Sequence, residues 1–115
     1  MREVSWYKPF DPAHSRVYVF LRIHRGVPWA FVVQLECRIQ GTWHEVVRFD
    51  HNVDEPGGHD IRKEGLHMDV YRDGEKIHVE RDFPEVELTD APAFCIDHVT
   101  TKHDEYIERY RGWHD

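Results

Sequence analysis

Cysteine is scarce in this chain. Cys37 lies in a strongly apolar run and Cys95 in a segment with helical spacing, and neither has a CxxC partner or a flanking zinc-ligand spacing. Two buried, reduced thiols are therefore expected, with no disulfide and no cysteine nucleophile. Long apolar runs are missing as well. Nothing approaches the roughly 20 residues that span a bilayer, and no apolar h-region follows Met1, so the expectation is a cytoplasmic protein that neither crosses nor enters a membrane. Basic charge is outweighed: 15 Lys and Arg against 22 Asp and Glu give a formal net charge of −7. That balance works against indiscriminate binding to nucleic acid or anionic lipid and leaves only a local basic patch open. The chain has no GxSxG elbow, no GxGxxG turn and no Walker loop, so serine acyl transfer and glycine-loop nucleotide binding are set aside, and no cofactor is expected. Repeats, low-complexity tracts and linkers are absent too.

What is present is enough for one domain over residues 1–115, since a chain of this length can bury a single core. Hydrophobic residues make up 40% and aromatics 13%, which removes it from the disordered class and makes the many charges a solvated exterior. Ten histidines are the main oddity, in a residue type recruited for proton transfer and metals.

Residues 1–15, with Pro9, Pro12, Trp6, Tyr7 and Phe10, read as an extended arm that docks by its rings. Residues 16–25 alternate with period two, Val17, Val19, Leu21 and Ile23 on one face, and residues 29–40 do so again around Phe31, Val33, Leu35 and Cys37. A hairpin at Gly41-Thr42 leads into a strand over 43–50, and two registers compete for it. A two-residue loop sets Arg38 opposite Glu45 and Cys37 opposite Val46. A three-residue loop matches Leu35 with Val47 and Val33 with Phe49 and turns Arg48 and Asp50 to the other face. Turn chemistry favours the first. Residues 51–65 form a long loop, because Asn52, Asp54, Pro56, Gly57, Gly58 and Gly65 leave no periodicity.

Strands over 66–72 and 75–81 flank Asp73-Gly74, the strongest hairpin signal in the chain. A regular two-residue turn there sets Val70 against Ile77, Met68 against Val79, Asp69 against His78 and His67 against Glu80. A helix over 91–110, capped by Thr89 or Asp90 with Pro92 in its first turn, carries a stripe of Cys95, Val99, Tyr106 and Tyr110. The architecture expected is α+β, with an antiparallel sheet of about five strands across residues 16–81 and one long C-terminal helix packed on a face.

The residues able to carry chemistry fall in or beside residues 48–69. His67, Asp69, His78 and Glu80 would share a sheet face in the hairpin register, where carboxylates fix imidazole tautomers. The ordinary alternative, an outer face of alternating charges worth about 0.2–1 kcal/mol per pair, is the stronger of the two. In the loop, His51, Asp54, His59 and Asp60 surround Gly57-Gly58, a pair that lets backbone amides approach an anion. A mobile acidic connection is as good a reading of that stretch. Zinc would need converging ligands, and the histidine spacing matches no metal motif, so a metal-binding domain is the third choice. A metal-independent ribonuclease needs a base, an acid and a cation, and His59, His67 and Arg48 could fill those roles in that order with Tyr71 assisting.

The series Val47-Arg48-Phe49-Asp50, Gly58-His59-Asp60 and Leu66-His67-Met68-Asp69, followed by the helix, resembles the TumE-like toxins of toxin-antitoxin modules and related small prokaryotic domains of unknown function. The resemblance covers residues 31–110. The chain departs from that pattern in the inserted residues 52–56 and 61–65. The resemblance implies a toxin acting on RNA or translation, held inactive by a cognate antitoxin; the site expected on its motifs is Arg48, Asp50, His59, His67 and Asp69, to which the residue chemistry above adds Tyr71. The competing reading is a non-catalytic protein-binding or oligomerisation module, a homodimer among its forms, which recruits its partner through an exposed sheet edge or the aromatic arm.

Overall fold

The structure, a computed structural model, describes residues 1–114. Strands β1 (Arg2–Asp11), β2 (Ser15–His24), β3 (Val27–Ile39), β4 (Thr42–Asn52), β5 (Met68–Arg72) and β6 (Glu75–Glu80) form one antiparallel meander in chain order. A single turn, α1 (Ile61–Glu64), interrupts the β4–β5 connection, and α2 (Ala91–Gly112) packs across β2, β3 and β4. The architecture is the expected α+β one with a sixth strand.

The extra strand is the N-terminal segment. It is not an arm: residues from Arg2 to Asp11 pair along β2 from Ile23 to Ser15. Pro9 is tolerated because β1 is the sheet's edge, where a missing amide donor breaks no ladder bond on the free side. Trp6 and Tyr7 stay exposed, whereas Phe10 stacks on His103 of α2 at 4.0 Å between ring centroids.

Arg25-Gly26, Gln40-Gly41 and Asp73-Gly74 each make a two-residue turn with both residues at positive φ, 51° and 76°, 51° and 80°, and 52° and 82°. Such turns match the right-handed twist of the strands they join, and glycine takes the second place because it bears the larger φ. The β3–β4 loop is therefore Gln40-Gly41 rather than Gly41-Thr42, with Arg38 opposite Trp43 and Cys37 opposite His44.

Each of these hairpins also carries one extra residue on its second strand, at Trp29, Val46 and Ile77. A bulge exchanges faces for everything beyond it. Past Val46 the pairs are Leu35–Val47 and Val33–Phe49, so the second register holds there and Arg48 and Asp50 face away from α2. Past Ile77 the pairs are Val70–His78, Asp69–Val79 and Met68–Glu80, which replaces the expected Asp69–His78 and His67–Glu80 matches.

The core lies between the sheet and α2. Val17, Val19, Phe31, Val33, Leu35, Val47, Phe49, Met68 and Val70 meet Ala91, Cys95, Val99, Tyr106 and Tyr110 of the helix. Each fully buried aliphatic or aromatic side chain stabilises by about 1.5–3 kcal/mol, so this stripe, rather than intrinsic propensity, holds α2 in place. Asp90 occupies the N-cap position without a side-chain cap bond, and Pro92 sits in the first turn. Cys37 and Cys95 are buried free thiols, both pushed above their ordinary pKa by burial. Among the described residues no helix is long and apolar enough to cross a membrane.

Candidate functional site

β4 outruns its neighbour. It pairs with β5 only at Val47–Val70 and Arg48–Asp69, and its remaining residues continue along β3 to Asn52. The face away from α2 opens there into a cleft of about 470 Å³, floored by the sheet and walled by the loop that follows β4. That volume falls within the roughly 300–1,000 Å³ of small-ligand sites.

The loop is pinned where the sequence suggested mobility. Asn52 N donates to His59 O at 2.9 Å, Asp54 N to Asn52 Oδ1 at 3.1 Å, and Gly58 N to Glu55 O at 2.9 Å. Asp60 caps α1 by accepting from Arg62 N at 3.0 Å, and Ile61 N donates to the buried His51 Nδ1 at 3.1 Å. Gly58 fits because a Cβ there would lie 1.9 Å from the Asn52 carbonyl oxygen. Its glycine is required by a close backbone approach, and its amide is spent inside the turn. An anion cradle at Gly57-Gly58 is therefore replaced by a device that presses His59 onto the end of β4.

Arg48, Asp50, His59, Asp69 and Tyr71 all line the cleft. His59 Nδ1 lies 3.3 Å from Asp50 Oδ1, and Arg48 Nε donates to Asp50 Oδ2 at 3.0 Å. Asp69 is 3% exposed; Lys76 Nζ stands 3.7 Å from its Oδ2, while its Oδ1 has no partner among the described residues. Burial, and then the nearby Asp69 carboxylate, raise the Tyr71 hydroxyl above its usual range, so it keeps its proton at neutral pH.

His67 takes a different place. It is buried immediately before β5, outside the cleft wall, with its ring 4.1 Å from that of His59. Burial, and next the neighbouring His59, hold its pKa below the ordinary histidine value. It supports the His59 ring from behind and keeps an unpartnered Nδ1.

The remaining expectations separate. The quartet dissolves, because the Ile77 bulge leaves His78 exposed and turns Glu80 to the helix side, where Arg109 donates to it at 3.3 Å. Asp54 is exposed and does not line the cleft. Lys76 and Arg22 also line it, and of the two only Lys76 was not singled out from the sequence. For Lys76 a signal existed, since the Asp73-Gly74 turn alone sets it opposite Tyr71. Arg22 is tied to Glu3 of β1 at 3.0 Å, and that pairing was invisible while residues 1–15 read as an arm.

Two groups of metal-ligating type meet at His59: Asp50, His59 and Asp69, and His59, Glu64 and His67. Chemically the cleft offers an imidazole oriented by a carboxylate, a phenol that retains its proton, and three cations, Arg22, Arg48 and Lys76, against the carboxylates of Asp50, Glu55 and Asp69.

The model of a domain of unknown function, DUF7718, matches residues 1–115. The chain belongs to the DUF7718 family. No curated protein and no solved structure matches it. Membership in a family of unknown function agrees with the coarser half of the sequence resemblance, a small domain of unknown function.

Proposed function

We propose that this DUF7718 protein cleaves RNA in the cytoplasm as a TumE-like toxin restrained by a cognate antitoxin. The observation that carries the reading is the His59–Asp50 pair at 3.3 Å inside a cleft that also holds Arg48, Lys76 and Tyr71. With its Nδ1–H directed at Asp50, a neutral His59 keeps the Nε2 lone pair for a proton. The step is internal transfer: the 2′-hydroxyl attacks the adjacent phosphorus and gives its proton to His59 Nε2. The P–O5′ bond breaks, and the leaving 5′-oxygen takes a proton from Tyr71. A 2′,3′-cyclic phosphate and a 5′-hydroxyl result. Arg48 and Lys76 offset the charge that gathers on the phosphoryl oxygens. His67, buried behind His59, suits a positioning role better than that of the acid, which must reach the leaving oxygen.

A second reading has its own observation: edge strand β1 exposes Trp6 and Tyr7 beside an unpaired backbone edge, a surface suited to a protein partner. Induced expression separates the two. Growth arrest by the wild type, absent from the His59→Ala, His67→Ala double variant, is expected if the cleft is catalytic. Equal and harmless expression of both sinks the toxin reading and leaves the edge strand.

A further inference from the structure

We propose that Asp50, His59 and Asp69 form a binding site for one divalent cation. Each offers a ligating atom within 4.8 Å of the other two. One pair, His59 Nδ1 and Asp50 Oδ1 at 3.3 Å, is already near the roughly 3 Å that adjacent ligands keep around an ion with bonds of about 2.1 Å. A small rotation of the Asp69 carboxyl completes the set.

An independent observation points to a missing ligand. Asp69 is 3% exposed, it lines the cleft, and its Oδ1 has no hydrogen-bond partner among the described residues. A buried carboxylate oxygen without a donor is costly, and folding rarely leaves one unless something else meets it. Lys76 is a weak answer: its ammonium is 3.7 Å from the other oxygen, Oδ2, on a side chain that is half in water. A cation between Asp50 and Asp69 would engage the orphaned oxygen directly.

The donor set selects the class of ion. Two carboxylate oxygens with one imidazole suit a transition-metal ion such as Mn²⁺ or Zn²⁺ better than Ca²⁺, which prefers oxygen alone. Arg48 and Lys76 beside the carboxylates oppose any cation, so affinity is moderated by their charges. An ion on His59 Nδ1 moves the ring proton to Nε2, the nitrogen assigned above to accept from RNA. This consequence alone rests on the RNA-cleaving reading: the cation would then silence cleavage. Binding itself does not depend on it.

The test is titration of the full, untagged chain with Mn²⁺ after chelator treatment. Calorimetry gives stoichiometry, and paramagnetic broadening of the histidine ring protons gives the place. One ion per chain is expected, with broadening strongest at His59. Asp69→Asn should weaken binding more than about tenfold, as loss of a direct ligand does, and Lys76→Met should tighten it several-fold by removing a competing charge. The second variant keeps the test informative if Asp69→Asn folds poorly. Absence of saturable binding overturns the site. So does Asp69→Asn binding as the wild type does, loss of binding on Glu64→Gln in its place, or broadening centred on the separate His44, Asp73 and His114 group. Failure of RNA cleavage with Mn²⁺ binding intact would count against the proposed function and leave the metal site standing.

Discussion

At the scale of single residues, the ten histidines of the sequence sort into distinct electrostatic situations. His51, His67 and His98 are held below the ordinary value of 6.5, burial being the largest cause in each. His114 is held above it, chiefly by its hydrogen bond to Asp73 at 2.6 Å. For the first three, the unfolded chain takes up a proton near pH 6.5 and the folded chain does not, so stability is lost as pH falls from there toward each depressed folded pKa. For His114 the sign reverses: its contribution is complete below 6.5, fades as pH rises through the raised pKa, and is small because the group is exposed. An NMR titration should place the midpoints of His51, His67 and His98 below 6.5 and that of His114 above it, with the thermal midpoint falling as pH drops below 6.5. Normal midpoints for the three would contradict their burial. Sequence reading picked out His59 and His67 but could not separate a cleft imidazole from one buried behind it, since both follow a glycine-rich turn. Only the pairing of β4 with β5 distinguishes them.

At the scale of elements, the apolar alternation of β2, β3 and β4 and the stripe of α2 were legible, because burial against a single helix imposes the two periodicities directly. The face on which each charged residue lies was not. Val46 and Ile77 are bulged, and nothing in a run such as Trp43-His44-Glu45-Val46-Val47 announces which residue will be skipped. Asp69 thus joins Arg48 across the sheet instead of His78, and a site drawn partly on pairs that the bulges exchange still falls on strand ends that line the cleft. β1 was missed for a related reason, since Pro9 within it and Pro12 just beyond it argue against a strand everywhere except at an edge. The loop that carries His59 depends on Gly58. Gly58→Ala would drive a Cβ to 1.9 Å from the Asn52 oxygen and must lift the loop from β4. Overpacking of this kind costs about 1–3 kcal/mol. Denaturant unfolding should show that loss, and His59 should separate from Asp50, with the core resonances of α2 unchanged. Gly26→Ala, which meets only a backbone preference at φ 76° and has open space around it, should leave the His59 resonances in place. If Gly58→Ala leaves His59 where it is, the loop is not positioned as described.

For the whole molecule, the division of labour follows the two faces of one sheet. The face under α2 holds nearly all of the apolar core, while the other collects Arg48, Asp50, Asp69, Tyr71 and Lys76 around a cleft with His59 at its rim. A chain with a net charge of −7 has no general attraction for nucleic acid, so RNA would have to be held by the local cations Arg22, Arg48 and Lys76 and would be released by moderate salt. The central claim is that His59, oriented by Asp50, moves a proton at a phosphodiester. The most direct measurement is single-turnover cleavage of RNA by the purified full chain in excess chelator, comparing the wild type with His59→Gln and identifying the new termini. The account predicts cleavage that persists without metal and leaves 2′,3′-cyclic phosphate ends. It also predicts a fall of about 10²- to 10⁴-fold in His59→Gln, the usual worth of a positioned general base. Equal rates for the two proteins, or no cleavage by either, would contradict it.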